Sequence, residues 1–335
     1  VQSSPYTPGA VPPSAQTSVK VAILLPLTGD KSAIGQSMLQ AAQLAVFDSG
    51  YDNFELIPFD THGNAQGASI AATSAAAQGA QIILGPLLAE EVRAAKPITA
   101  ARSIPMLAFS TDWTLAGGNT FIMGFLPFGQ VERVAAYAAS RGLRRTAILS
   151  AQDTYARAAA ASFEQSAQRH GIVATQTKSP GAGFDSVFIP ATGTDLGQAL
   201  SALPQAGLRK LGTGLWDEQR LAANPAMEGA WFAAPSPAAR AGFEQRYRAT
   251  YSAPPIRIAT LAYDATALCT ALAKHGAARG TGPAFDMQSL TNPAGFAGID
   301  GIVRLHNNGL AERGLAVLEM RGGRIVEIDP APNRF

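Results

Sequence analysis

The sequence predicts an α/β protein: doubly wound, mostly parallel sheets with helices on both faces, arranged in two lobes. Three observations lead there. Short apolar runs rich in Val, Ile and Leu alternate with Ala-rich segments of helical composition, the alternation that builds parallel sheets. The stretch 81–113 (QIILGPLLAEEVRAAKPITAARSIPMLAFSTDW) reads strand, helix, strand. Such a unit joins parallel neighbouring strands, because a crossover separates them. The same rhythm restarts after residue 142, although no residues repeat directly.

In chain order, 19–26 (VKVAILLP) is a continuous apolar run, which suits a strand buried on both faces. Leu27-Thr28-Gly29-Asp30 is a turn, 36–49 an amphipathic helix, 54–59 the second strand, and 60–64 the turn that closes it. An Ala-rich helix follows at 66–78. In the next unit, 81–84 is a strand stopped by Gly85-Pro86. Residues 88–102 favour helix, with Glu90 and Glu91 in a first turn where carboxylates suit the macrodipole. Pro97 inside that pattern predicts a kink or two short helices. Residues 105–109 are a second strand, ending in Ser110-Thr111-Asp112. Two strands thus open into turns on one sheet edge, and ligands of open α/β sheets bind outside that edge.

After a short strand at 119–124, the segment 125–130 (FLPFGQ) breaks the rhythm and marks the first crossing between lobes. A helix at 131–141 is capped by Gly142. Then come a strand at 146–150, a polar turn at 151–155, a helix at 157–170 and strands at 172–177 and 186–190. Helix 195–203 has Asp195 as its expected N-cap. Short strands at 208–213 and 230–234 lead to helix 238–251 and a second crossing at 252–255. The long helix 257–275 follows, then extended segments at 296–304 and 314–320. Arg321-Gly322-Gly323-Arg324 turns a hairpin into 325–328. The expected division is residues 19–123 plus 252–310 in lobe 1 and 124–251 plus 311–335 in lobe 2. Residues 1–18, rich in Pro, Ser and Thr and nearly uncharged, form an expected flexible linker. They read either as a tether behind a leader and lipid anchor or as a frayed terminus.

Composition narrows the function. The 335 residues suffice for two domains with real cores. Hydrophobic residues at 47% and charged residues at 15% describe a globular chain rather than a disordered one. The net charge of +2, with Lys and Arg scattered, offers no face for nucleic acid or anionic membrane. No apolar run reaches the roughly eighteen residues of a membrane span. Cys269 is the one cysteine, so no internal disulfide can form, and its helical setting suits a buried thiol. His62, His170, His275 and His306 are scattered without paired Cys or H-E-x-x-H spacing, so no metal or cofactor is expected. There is no G-x-S-x-G elbow and no phosphate loop. Gly212-Thr213-Gly214 is too short for a dinucleotide fingerprint, so a Rossmann-type enzyme rests on the doubly wound pattern alone.

Taken in series, the segments VKVAILLPLTGDKSAIGQSMLQAAQLAV, ILGPLLAEEVRA, IPMLAFSTDWT and AQDTYARAAAASFE resemble the type I periplasmic binding proteins, the group of the branched-chain amino acid receptors. The P-L-T-G opening, the D-T-x-G turn at 60–63, and ILGPLLAEEV followed by LAFS are most similar to one branch of it. That branch comprises envelope lipoproteins related to the penicillin-binding-protein activator. The resemblance implies two lobes joined by three crossovers, with a cleft that closes around a ligand by a hinge. It implies an exported bacterial protein of the periplasm or outer envelope, not an enzyme. Its partner would be a peptidoglycan synthase in the activator branch or an ABC permease in the transporter receptors.

Carried over residue by residue, the resemblance puts Thr28, Ala89, Ser110, Thr111, Asp112, Tyr155, Thr192, Trp216 and Asp217 at the cleft. Tyr155 matches a cleft tyrosine, and Thr192 falls on another cleft aromatic. Ser110, Thr111 and Asp112 fall where the receptors hold a ligand's amino and carboxylate groups. The receptors' serine falls on Ala89 or Glu90. Gly214, just ahead of Trp216 and Asp217, falls near the acidic residue that pairs with a ligand ammonium. Two anchors for an α-amino acid are thus absent or moved, which favours the activator branch. A helix N-terminus behind a strand end attracts a carboxylate with about 0.3–2 kcal/mol, against roughly 8 kcal/mol for micromolar affinity. Stacking by Tyr155 or Trp216 and polar contacts from Ser110 and Thr111 are expected to supply the rest. Trp113 is a further cleft candidate, while Trp231, in an apolar strand, is expected in the core.

Overall fold

A computed structural model describes residues 17–149, 152–204 and 207–335. The expected linker lies outside them except for its last two residues, as do Ser150 and Ala151 of the expected strand and turn. The first half of the chain runs β1 (Val19–Leu25), α1 (Ser32–Ser49), β2 (Phe54–Asp60), α2 (Ala65–Ala77), β3 (Ile82–Leu84), α3 (Ala89–Ala101), β4 (Met106–Ala108) and β5 (Thr120–Ile122). It continues through α4 (Pro127–Ser140), β6 (Arg145–Leu149), α5 (Thr154–Arg169), β7 (Val173–Thr177), β8 (Ser186–Phe188), α6 (Gly193–Ser201), β9 (Arg209–Gly212), α7 (Gln219–Ala222) and β10 (Trp231–Ala234). The last part holds α8 (Pro237–Tyr251), α9 (Ala259–Ala278), α10 (Met287–Leu290), β11 (Phe296–Gly298), β12 (Gly301–Leu305), β13 (Ala311–Arg313), β14 (Ala316–Arg321) and β15 (Arg324–Asp329).

The first sheet is parallel, in the order β2-β1-β3-β4-β5. Successive side chains of a strand point to opposite faces, and β1 uses both. Val21, Ile23 and Leu25 join Met38 and Ala42 of α1 and Leu261 and Ala265 of α9 in one core. Ala22 and Leu24 join Ala71, Ala72 and Ala75 of α2 and Val92 and Ala95 of α3 in the other. This is why the run VKVAILL is apolar throughout. The second sheet, β15-β14-β10-β9-β8-β6-β7, repeats the plan. Ile148, Phe188 and Leu211 face α4 and α5, while Leu149, Val187 and Phe232 face the side of α6 and α7. Its far edge departs from the parallel rule: β14 pairs antiparallel with β10 and forms a hairpin with β15. The chain is therefore an α/β fold of two doubly wound, mostly parallel sheets.

Several boundaries differ from the sequence expectation. Helix α3 runs unbroken through Pro97, because its buried face of Val92, Ala95 and Thr99 continues past that residue and packing outweighs propensity. The FLPFGQ segment, where the first crossing is expected, holds a short connection, Phe125 and Leu126, before Pro127 opens α4 earlier than the expected residue 131; a first-turn proline loses no hydrogen bond. In α6 the N-cap position belongs to Thr192, and Asp195 sits in the first turn. Residues 296–304 are two strands of a hairpin, β11 and β12, joined at Ile299-Asp300.

Helix α8 also changes sides. Phe243 and Tyr247 pack with Ala41 and Leu44 of α1 and Ala259 of α9, and the Tyr247 hydroxyl donates to Gln40 Oε1 at 2.6 Å. Residues 238–251, expected with the second lobe, thus pack against α1 and α9, helices that cover the first sheet. The order of elements does not say which lobe a helix leans on. β13 pairs with β12 in a small antiparallel sheet, and the next strand, β14, belongs to the second large sheet.

Two glycines fix the first sheet's upper edge. A Cβ on Gly35 would lie 1.9 Å from the Pro26 carbonyl oxygen, and one on Gly85 2.2 Å from that of Leu24. Gly85 also has φ +86°, open to glycine at little cost. Gly35→Ala should therefore destabilise the protein by about 1–3 kcal/mol or more, through overpacking against backbone that cannot give. Gly197→Ala, in open space within α6, should stabilise by about 0.4–1 kcal/mol. Urea midpoints check both; an unchanged midpoint for Gly35→Ala would mean α1 does not seat this closely.

Glu132 ties α4 to α5. Its carboxylate takes the Arg169 guanidinium and lies 2.7 Å from His170 Nε2. Burial opposes its charge, yet hydrogen bonds from Ser166, His170 and Arg169, with the Arg169 charge, bring it from the ordinary 4.5 down to about 2. A depressed folded value contributes stability above the unfolded value and loses it as pH falls. The thermal midpoint of the native protein should exceed that of Glu132→Gln fully above about pH 4.5, and the gap should close as pH approaches about 2. A gap unchanged down to pH 2 would contradict the assignment.

Candidate functional site

The strands of the first sheet end on one edge, and their following turns converge there. Lys31 and Ile34 follow β1; Leu87, Leu88 and Ala89 follow β3; residues 109–114 follow β4; Gly124 and Phe125 follow β5. Across from them stand Thr154 and Tyr155 at the start of α5, on the second lobe. Together with Ile258 and Leu261 of the α9 entry they enclose a cleft of about 720 Å³, within the range of small-molecule sites.

Five of the residues expected at the cleft meet there: Ala89, Ser110, Thr111, Asp112 and Tyr155. Ser110 is buried, and its Oγ accepts the Asp112 N–H at 3.0 Å, so it shapes a turn while its own O–H stays available to donate. Thr111 is exposed at the rim. Asp112 accepts from Thr114 N–H at 3.1 Å and from the Thr114 hydroxyl at 2.5 Å, and lies 3.4 Å from Arg93. Its charge is committed locally. The Tyr155 hydroxyl donates to Thr213 Oγ1 at 3.0 Å. Burial pushes its pKa up to about 12, against the Thr213 hydrogen bond, so the phenol stays neutral.

At the start of α3, Glu91 turns back and accepts the Leu88 N–H at 2.9 Å and the Thr61 hydroxyl. Its side chain is fully buried, and burial raises its pKa despite those hydrogen bonds. Ala89, the first residue of α3, lines the cleft.

The other four expected residues lie elsewhere. Thr28 donates to Asp60 Oδ2 at 2.6 Å and lies 2.7 Å from His62 Nδ1, joining the turns after β1 and β2. Thr192 caps α6 by position, with a buried Oγ1 that has no partner among the described residues. Trp216 does not stack in the cleft: its side chain is wholly buried in the second lobe, 6.3 Å edge-on to Phe232, and its indole N–H donates to the Ala191 carbonyl at 2.9 Å. The ring covers Gly212, where a Cβ would come within 2.4 Å of it. Asp217 is buried under two arginines.

Trp113 lines the cleft, as expected, and meets Phe128 edge-on at 5.1 Å. Trp231 is in the core, with its N–H on Glu319. The sequence reading missed Lys31, Phe109, Phe125 and Leu261. Applying the strand-end rule to every strand, not only β3 and β4, finds Lys31 and Phe125. Leu261 needs the packing of α9. A second cavity of about 480 Å³, at the ends of β6 and β8, lies within the second lobe alone. Among the described residues no group of three metal ligands occurs, and no helix is long and apolar enough to cross a membrane.

Comparison with known proteins agrees with the fold. A family model described as periplasmic binding protein matches residues 18–324. A putative branched-chain amino acid ABC transporter structure from Rhodospirillum rubrum is similar with TM-score 0.80 and 20% identity, over 93% of this chain and 100% of that one. An ABC transporter solute-binding protein from Rhodopseudomonas palustris, in complex with 3,4-dihydroxybenzoic acid, has TM-score 0.70 and 18% identity, over 96% and 98%. Full-length LpoA from Haemophilus influenzae has TM-score 0.69 and 16% identity, over 93% of this chain and 59% of that one. At such identities these likenesses speak for the fold. No curated protein matches the sequence.

The burial of Trp216 yields a direct prediction. Trp216→Ala should cost about 3–5 kcal/mol of stability, as a large aromatic lost from a packed interior does. Chemical denaturation followed by fluorescence would read this as early unfolding of the second lobe. A stability near that of the native protein would return Trp216 to the surface of the cleft.

Proposed function

The chain belongs to the periplasmic binding protein family, and from that premise we propose that it is a non-enzymatic, extracytoplasmic module that binds a small apolar carboxylate between its lobes. The observation that carries this is the lining of the cleft. Its walls are apolar at Ile34, Leu87, Phe109, Phe125 and Leu261, and both lobes contribute. Its polar groups include the donors Ser110, Thr111 and Lys31, beside the starts of α3 and α5, where Glu90, Glu91 and the Asp153 cap offset part of the helix-end charge. Helix N-termini favour anions. The carboxylates an ammonium group would need are occupied, Asp112 by Thr114 and Arg93, Asp217 by Arg240 and Arg257. An α-amino acid would leave its ammonium unpaired, which costs affinity. On this reading the module serves a transporter as solute receptor, its partner is an ABC permease, and a lipid anchor on the linker is consistent with it.

A second reading is a scaffold that touches a cell-wall synthase and acts in cell-wall synthesis. The commitment of Asp217 to protein groups supports it, as does the likeness in fold to LpoA.

Thermal shift with benzoate, 4-methyl-2-oxopentanoate, L-leucine and isopentylamine separates these. At a hundredfold excess over Kd a ligand adds about 2.7 kcal/mol. The two acids lacking an amine should raise the midpoint, leucine less and the amine not at all. Ser110→Ala and Tyr155→Ala should each reduce the response to the same acid. If no carboxylate stabilises the protein and a purified peptidoglycan synthase binds it, the scaffold reading stands instead. A preference for leucine over its oxo acid would overturn the ligand class.

A further inference from the structure

The loop after β9 carries Asp217 out of the second lobe and into a pair of arginines. Arg240 of α8 grips the carboxylate with both terminal nitrogens, at 2.7 and 3.2 Å. Arg257 adds its Nε at 3.0 Å. The carboxylate is nearly sealed, 4% exposed at the side chain. Both arginines stand on chain that packs on the first lobe: α8 by Phe243 and Tyr247, and Arg257 by the α9 entry. Arg257 then passes the contact inward. Its other end lies 3.2 Å from Asp300, a wholly buried carboxylate at the turn between β11 and β12. Its guanidinium also lies over Phe125, 4.7 Å from the ring centre, where the chain first leaves the first lobe. One residue further on, Ile258 lines the cleft.

These charges run in an unbroken line from one lobe to the other, beside the cleft rather than within it. The bidentate guanidinium–carboxylate geometry is the strong form of such a pair. Burial opposes the charge on Asp217, but the Arg240 hydrogen bond and both guanidinium charges hold its carboxyl below the usual range, so it is ionised at neutral pH. Parting the lobes would strand the buried Asp217 carboxylate, while Arg257 keeps Asp300 and Arg240 keeps Glu244 on their own side. Breaking one partner out of a buried pair is strongly unfavourable, because the remaining charge is left uncompensated. Both Asp217 oxygens are already bonded, so no ligand atom is needed to complete the arrangement.

We propose that Asp217, Arg240 and Arg257 form an interlobe latch, which sets the relative orientation of the two lobes with protein groups alone. Closure then does not depend on a ligand, and opening the cleft requires this ion cluster to part. This goes beyond the ligand reading above and stands whether the cleft takes a solute or serves a scaffold.

The test is an interlobe distance. Thr73 of α2 and Gln165 of α5 are exposed positions on opposite lobes; spin labels on cysteines placed there report the distance by electron–electron double resonance. Cys269 is buried and stays unlabelled. Ligand-free native protein should give one narrow distance. Asp217→Asn should broaden it and move it, and Arg240→Lys, which keeps a charge, should move it less. Should Asp217→Asn fail to fold, the double variant Asp217→Asn with Arg240→Met removes the stranded charge and should show the same broadening. A native distribution as broad as the variants', or a double variant as narrow as native with an unchanged mean, would overturn the latch. Thermal shift with benzoate, run on the same samples, keeps this outcome separate from that for the ligand.

Discussion

A parallel strand has no short way back. The chain that leaves its end must cross the sheet before the next strand can begin, so every strand of the first sheet finishes on the same edge. The turns after β1, β3, β4 and β5 are gathered there by topology alone. Since β1, β3, β4 and β5 are buried almost throughout, their ends are where backbone and polar side chains reach solvent together. The Gly35 and Gly85 contacts, where α1 and the β3 turn come against carbonyls of the first strand's end, hold this edge tight. The cleft is what the constraint leaves over once a second sheet of the same kind faces the first.

At the cleft and around it, carboxylates are engaged by the protein itself. Asp112 closes a short turn, Glu91 caps α3, and Asp217, outside the cleft, pairs with Arg240 and Arg257. The rest of the lining is mostly apolar wall, with the Ser110 and Thr111 hydroxyls and Lys31.

The fold was legible because it rests on local signals. Runs such as VKVAILL and QIIL, their bounding turns, and the βαβ spacing specify elements and their order without reference to partners. Ser110, Thr111 and Tyr155 were legible for the same reason: each follows a strand end. Trp216 and Asp217 were not, although they too follow a strand, because a side chain beyond a strand end can turn outward or fold back. Gly212 decides the matter for Trp216 by giving the indole a surface to cover. Asp217 was read as a ligand group because its partners are 23 and 40 residues away. The docking of α8 was hidden likewise, since Phe243 and Tyr247 meet α1 about 200 residues earlier in the chain. Pro97 was misread in the opposite direction, as a local signal that packing overrode.

The antiparallel edge of the second sheet bears on how the molecule is made. β10 lies between β9 and β14, and β14 is separated from it by all of α8, α9, α10 and the small sheet. During synthesis the second lobe therefore waits, with the apolar strand WFAA unpaired along one side, until residues 316–321 have emerged. An open strand edge of that composition invites pairing with other chains. The first lobe must dock α8 and α9 in the interval. Chains ending anywhere between β10 and β14 hold every strand of the first sheet but leave β10 without its antiparallel neighbour, so the C-terminal hairpin is the segment that completes the second sheet.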